Sequence, residues 1–75
     1  MEDRVTRPNH YRQGKIETIE IIRNSMSAEA FKGFLKGNVL KYINRYSYKN
    51  GVEDLHKANQ YLKWLIKEEM KNANS

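Results

Sequence analysis

Seventy-five residues leave room for one domain, which buries only about 60% of its unfolded surface and is marginal as a lone monomer. Hydrophobic residues make up 39% and charged residues 31%, which excludes a disordered tail and a membrane-embedded chain, and the absence of cysteine excludes a disulfide scaffold, a thiolate zinc site and a cysteine nucleophile. Fourteen Lys and Arg against nine Asp and Glu give +5, a balance that suits either simple solubility or a polyanionic partner: nucleotide, nucleic acid or anionic membrane.

Residues 1–14 hold the sole proline, Pro8, followed by Asn9-His10-Tyr11 and Gly14, and read as an N-terminal loop. No apolar h-region follows Met1-Glu2-Asp3-Arg4 and no stretch approaches the ~18 apolar residues of a membrane span, so the expected setting is the cytoplasm. From Ile16 the apolar spacing turns helical through Ile19, Ile22 or Ile21, and Met26; the isoleucines could also make a strand, but this spacing and the interleaved Glu17, Glu20 and Arg23 predict a helix.

Ser25-Met26-Ser27 is a break, and Ser27 is a good N-cap for a helix starting at Ala28 with Glu29 in its first turn. Apolar residues recur at Phe31, Leu35, Val39, Ile43 and Tyr46. Gly33 and Gly37 interrupt them at about 1 kcal/mol each. They predict either close approach of another backbone or a helix break near Lys36-Gly37, with a new helix from Asn38.

Lys49-Asn50-Gly51 is a helix stop, and Glu53 and Asp54 suit the first turn of a last helix. Leu55, Ala58, Leu62 and Leu65 predict its buried face, flanked by Tyr61, Trp64 and Ile66, and residues 72–75 fray. The expected fold is all-α: one small domain over 1–75 with three or four helices. Its last two long helices form an antiparallel hairpin, and the domain self-associates as a homo-oligomer.

Asn38, Lys41 and Arg45 fall at i, i+3 and i+7 on one helix face, with Gly37 leaving room at one end. An amide, an ammonium and a guanidinium together can hold a phosphate; the alternative is a solvated basic face. Glu17 and Glu20, one turn apart, could hold Mg²⁺ with a substrate phosphate, or could pair with Arg23 or Lys15. His10 could donate to phosphate or shuttle a proton, and Tyr11 could stack on a base; both could equally staple the loop to the core. Tyr42, Tyr46, Tyr48, Tyr61 and Trp64 divide between core and an oligomer interface or base-stacking wall. There is no Walker loop, G-x-G-x-x-G or serine elbow.

The order Pro8-x-His10-Tyr11, Gly14-x-Ile16-Glu17, Phe31-Lys32-Gly33-Phe34-x-Lys36-Gly37-Asn38-Val39-x-Lys41-Tyr42-x-x-Arg45, then Lys49-Asn50-Gly51-x-x-Asp54-Leu55-x-Lys57-Ala58-x-x-Tyr61-Leu62 resembles the SaV-like family of small, mostly phage-encoded proteins. The resemblance spans roughly residues 8–66. That family includes a longer, oligomeric phage kinase that phosphorylates deoxynucleoside monophosphates without a Walker motif. The resemblance therefore implies a nucleotide ligand. Lys41 and Arg45 would hold phosphates and Asn38 would orient the phosphate, sugar or base. His10 would reach in from the loop, and Glu17, with Asp54, would position Mg²⁺ or a ribose hydroxyl. Tyr11, Gly37, Tyr42 and Lys49 would complete the binding set. Two alternatives stand beside a kinase: a non-catalytic phage protein that sequesters a nucleotide or engages a host protein, and a nucleic-acid binding helical module.

Overall fold

A computed structural model describes residues 18–74, with side chains as far as Lys71; it is all-helical over those residues. Helix α1 is described over residues 18–24, α2 spans Ala28–Arg45, a single 3₁₀ turn follows at Tyr46–Tyr48, and α3 spans Val52–Asn74. The loop expected over 1–14, with His10 and Tyr11, lies outside the described residues, as do Glu17 and the side chains of the tail.

Ser27 starts α2 as its spacing predicts. Its backbone is extended, and its hydroxyl accepts a hydrogen bond from the Ala30 N–H at 3.1 Å, satisfying one of the helix's free donors. Just before it, the Ser25 N–H and hydroxyl both bond the Ile22 carbonyl, closing the end of α1.

The helix then runs unbroken through Gly33 and Gly37. Of the two expected roles for these glycines, the helix break is overturned and close approach of another backbone is not seen among the described residues. There is no break at Lys36-Gly37, and a Cβ at either position would meet no described atom within 4 Å. A helix eighteen residues long, held at its start by Ser27 and along its length by packing, absorbs two unfavourable propensities. Its C-terminus comes earlier than Lys49 suggested: the ladder tightens into 3₁₀ geometry after Arg45. Gly51 supplies the reversal at φ 60°, its N–H bonding the Tyr46 carbonyl at 2.8 Å.

Contacts between α2 and α3 run in opposite sequence order. Lys32 meets Glu69, Phe34 meets Tyr61, and Arg45 meets Asp54. Helix α1 lays Ile19 and Ile22, and the bend after it Met26, across one flank of this layer, forming a core with Phe31 and Leu35, edged by Phe34, Tyr61, Trp64 and Leu65.

The inward faces differ from the expected stripes. Steps of four residues advance a helix by about 40° beyond full turns, so Phe31, Leu35, Val39 and Ile43 drift around the cylinder. The face that stays against α3 is Phe31, Leu35, Asn38, Tyr42 and Arg45, while Ile43 is exposed. On α3, Asp54, Ala58, Tyr61 and Leu65 turn inward, and Leu62 and Ile66 turn out. Two of the inward positions are charged and meet each other.

Candidate functional site

Asp54 is fully buried at the start of α3. Arg45, from the end of α2, reaches it with Nε to Oδ2 at 3.2 Å and Nη2 to Oδ1 at 3.3 Å. Asn50 adds its backbone N–H to Oδ2 and its side-chain amide to Oδ1, each at 3.2 Å. Both carboxylate oxygens thus receive two donors. Burial alone would push the Asp54 carboxyl up, but the bonds from Arg45 and Asn50 outweigh it and hold it below the usual carboxylate range. Arg45 is correspondingly held further toward its charged form by the hydrogen bond to Asp54. This cluster ties the end of α2, the connecting turn and the start of α3 together.

Next to it, three cations gather on one ring. Lys41 Nζ lies 4.5 Å, Arg45 Cζ 4.7 Å and Lys57 Nζ 5.6 Å from the Tyr42 centroid. A tyrosine face attracts cations through its quadrupole, and here it collects them from both helices. Arg45 is matched by Asp54 and Lys57 approaches Glu53 at 3.6 Å, whereas Lys41 meets no acid among the described residues. The patch therefore keeps a positive excess.

Tyr42 stacks on Tyr61 at 5.8 Å with planes 18° apart, and Tyr61 meets Trp64 edge-on at 5.4 Å. This aromatic wall backs an open groove of about 780 Å³ between α1 and α3. Thr18, Ile19 and Ile22 line it from α1; Glu53, His56, Lys57 and Gln60 line it from α3. A smaller cleft of about 230 Å³ lies over Phe31 and Trp64, rimmed by Glu20, Arg23, Lys67, Glu68 and Lys71. Its volume falls below the ~300 Å³ at which small-molecule sites begin, whereas that of the larger groove lies inside their usual range.

Against this geometry the sequence candidates separate. Asn38 and Arg45 turn toward α3, while Lys41, one turn from each, is exposed beside them. The Asn38 amide nitrogen donates to the Phe34 carbonyl at 2.9 Å, and Arg45 serves Asp54. Tyr42 joins the cation cluster; Lys49 is exposed in the connecting turn, and Gly37 is exposed on α2. Glu20 hydrogen-bonds Arg23, and that bond holds its carboxyl below its ordinary range. Among the described residues no three His, Asp or Glu groups come together as a metal set. Lys57, His56 and Gln60 were not singled out as site residues by spacing. The signal for Lys57 was its place one turn from Tyr61 and Asp54.

The profile of a family described only as proteins of unknown function, DUF3310, matches residues 5–63. The chain belongs to the DUF3310 family. Two phage proteins are similar to it. The Gene 1.7 protein of Enterobacteria phage T3 is 45% identical over 62 residues, covering 76% of this chain and 38% of that protein. The protein named Nucleotide kinase gp1.7, of Escherichia phage T7, is 45% identical over 62 residues, covering 76% of this chain and 32% of its own length. The chain thus spans about a third of the length of these relatives. The DUF3310 match and these relatives place the chain in a phage protein family, the coarser form of the resemblance read from the motif blocks. No solved structure matches. No helix among the described residues is long and apolar enough to cross a membrane.

Proposed function

We propose that this DUF3310 chain binds a nucleotide in the groove between α1 and α3, as part of phage nucleotide metabolism. The base lies against the wall of Tyr42, Tyr61 and Trp64, and the phosphate meets Lys41 and Lys57, with Arg45 behind them. The observation that carries the reading is the convergence of Lys41, Arg45 and Lys57 on the Tyr42 ring beside that wall. Aromatic faces accept bases of any sequence, and clustered cations accept phosphate, so the two halves of a nucleotide find matching chemistry side by side. The T7 relative's name, a nucleotide kinase, supports the same direction.

Phosphoryl transfer from a nucleoside triphosphate to a (deoxy)nucleoside monophosphate is the catalytic form of this role. It needs mainly positioning and charge neutralisation, which cations with Mg²⁺ supply. His10, Tyr11 and Glu17, preceding α1, are the candidates to complete it, Glu17 with Mg²⁺. The non-catalytic reading, sequestration of a nucleotide, draws support from the acids: Asp54 is taken by Arg45 and Asn50, and Glu20 by Arg23.

Titration calorimetry with nucleoside mono-, di- and triphosphates, with and without Mg²⁺, tests the proposal. Binding is expected, and Lys41→Gln with Lys57→Gln should weaken it about tenfold or more while the fold persists. No heat with any nucleotide would end the reading. Product formation from a monophosphate and ATP separates kinase from sequestration.

A further inference from the structure

Asn50 is followed by Gly51, and no other asparagine of the chain precedes a glycine. That pair is chemically labile. Glycine has no Cβ, so its backbone nitrogen can swing onto the side-chain carbonyl carbon of the asparagine before it. The nitrogen gives its proton to solvent and attacks that carbon. The carbon–nitrogen bond of the carboxamide breaks, its nitrogen takes up a proton and leaves as ammonia, and a five-membered cyclic imide remains. Water opens the ring at either carbonyl, leaving aspartate or isoaspartate. The rate depends on how often the chain reaches the attack geometry.

The fold holds each group that takes part. The Gly51 N–H, whose nitrogen is the nucleophile, donates to the Tyr46 carbonyl at 2.8 Å. The carbonyl of the same peptide bond, from Asn50, accepts the Glu53 N–H at 3.3 Å, so the peptide plane is pinned at both ends. The Asn50 carboxamide, which must release ammonia, donates to Asp54 Oδ1, and the Asn50 backbone N–H to Oδ2, each at 3.2 Å. Hydrogen bonds do this holding rather than burial, because Asn50 is exposed and water reaches it freely.

We propose that Asn50 is a self-modification site whose deamidation is gated by opening of the α2–α3 junction. While the junction is closed, the nucleophile keeps its proton and the carboxamide stays on Asp54. When it opens, these bonds are lost together and the pair reacts as in a free chain. Closure is then impaired. An acid at position 50 sets a carboxylate where Asp54 had a donor, beside a carboxylate that is itself buried. Isoaspartate also adds a methylene to the backbone of a turn that Gly51 closes at φ 60°. Because ammonia departs, the change is one-way, and acid at position 50 accumulates as a record of past openings. The proposal is independent of the nucleotide reading, since it needs no ligand.

Incubation at mildly alkaline pH, in buffer and in guanidinium chloride, tests it, with tryptic peptide mass spectrometry of the segment after Lys49 as the readout. In denaturant Asn50 is expected to convert to a mixture of aspartate and isoaspartate, and the folded chain to convert at least about tenfold more slowly. Asn50→Asp, which reproduces one product, is expected to show a lower urea midpoint than the wild type. Equal rates in the folded and denatured chains, no conversion in denaturant, or a wild-type midpoint for Asn50→Asp overturns the proposal.

Discussion

Asp54 is the residue on which the α2–α3 junction turns. A carboxylate at the first turn of a helix ordinarily sits in water and profits modestly from the helix dipole. Here it is buried, with four donors on its two oxygens, so an amide in its place leaves the Arg45 charge uncompensated and sets an NH2 group against two of those donors. Asp54→Asn is therefore expected to lower the urea midpoint well beyond any change at an exposed pair such as Lys57–Glu53. The pH dependence has a definite sign. The folded carboxyl titrates below its unfolded value of about 4, so its contribution is complete above that pH and is lost as pH falls through the lower folded value. The stability gap between wild type and Asp54→Asn should hold steady from pH 7 to about 4 and close below it, which urea melts across that range would read. A gap that widened in acid would contradict the assignment.

Within single elements, α2 carries two glycines that no contact among the described residues requires. Gly33 and Gly37 lie in a continuous helix with negative φ, and a methyl group at either would touch no described atom. Alanine there removes backbone freedom from the unfolded chain without strain, so each Gly→Ala is expected to stabilise by about 0.5–1 kcal/mol. Gly51 is the counter-case in the same chain. Its space is equally open, but its φ is 60°, so Gly51→Ala should destabilise by about 1 kcal/mol. Chemical denaturation of the three variants checks both signs. The contrast separates room for a side chain from freedom of the backbone.

At the scale of the whole molecule, the interior is thin. Ile19, Phe31, Leu35 and Ala58 are the buried apolar residues among those described, and several large apolar side chains remain outside. The same thin interior explains the aromatic wall: Tyr42, Tyr61 and Trp64 serve as core on one side and groove on the other.

The amino-acid order by itself determined the all-helical class, the Ser27 start of α2, the turn at Gly51 and the acidic first turn of α3, because each depends on local backbone chemistry within a few residues. It also placed Asn38, Lys41 and Arg45 on one helix face and Tyr42 among the candidates. What only tertiary structure decided was where that face points. A stripe read in steps of four precesses around the helix, so Ile43, inward by spacing, is exposed in the fold, while Tyr42 and Arg45 turn in. Partnership across helices is likewise invisible to spacing: Arg45 finds Asp54 nine residues on, and Lys57 meets the Tyr42 ring, because the turn at Gly51 folds α3 back along α2. Whether a charge is free for a ligand or spent on a neighbour depends on distances that arise only when the helices pack.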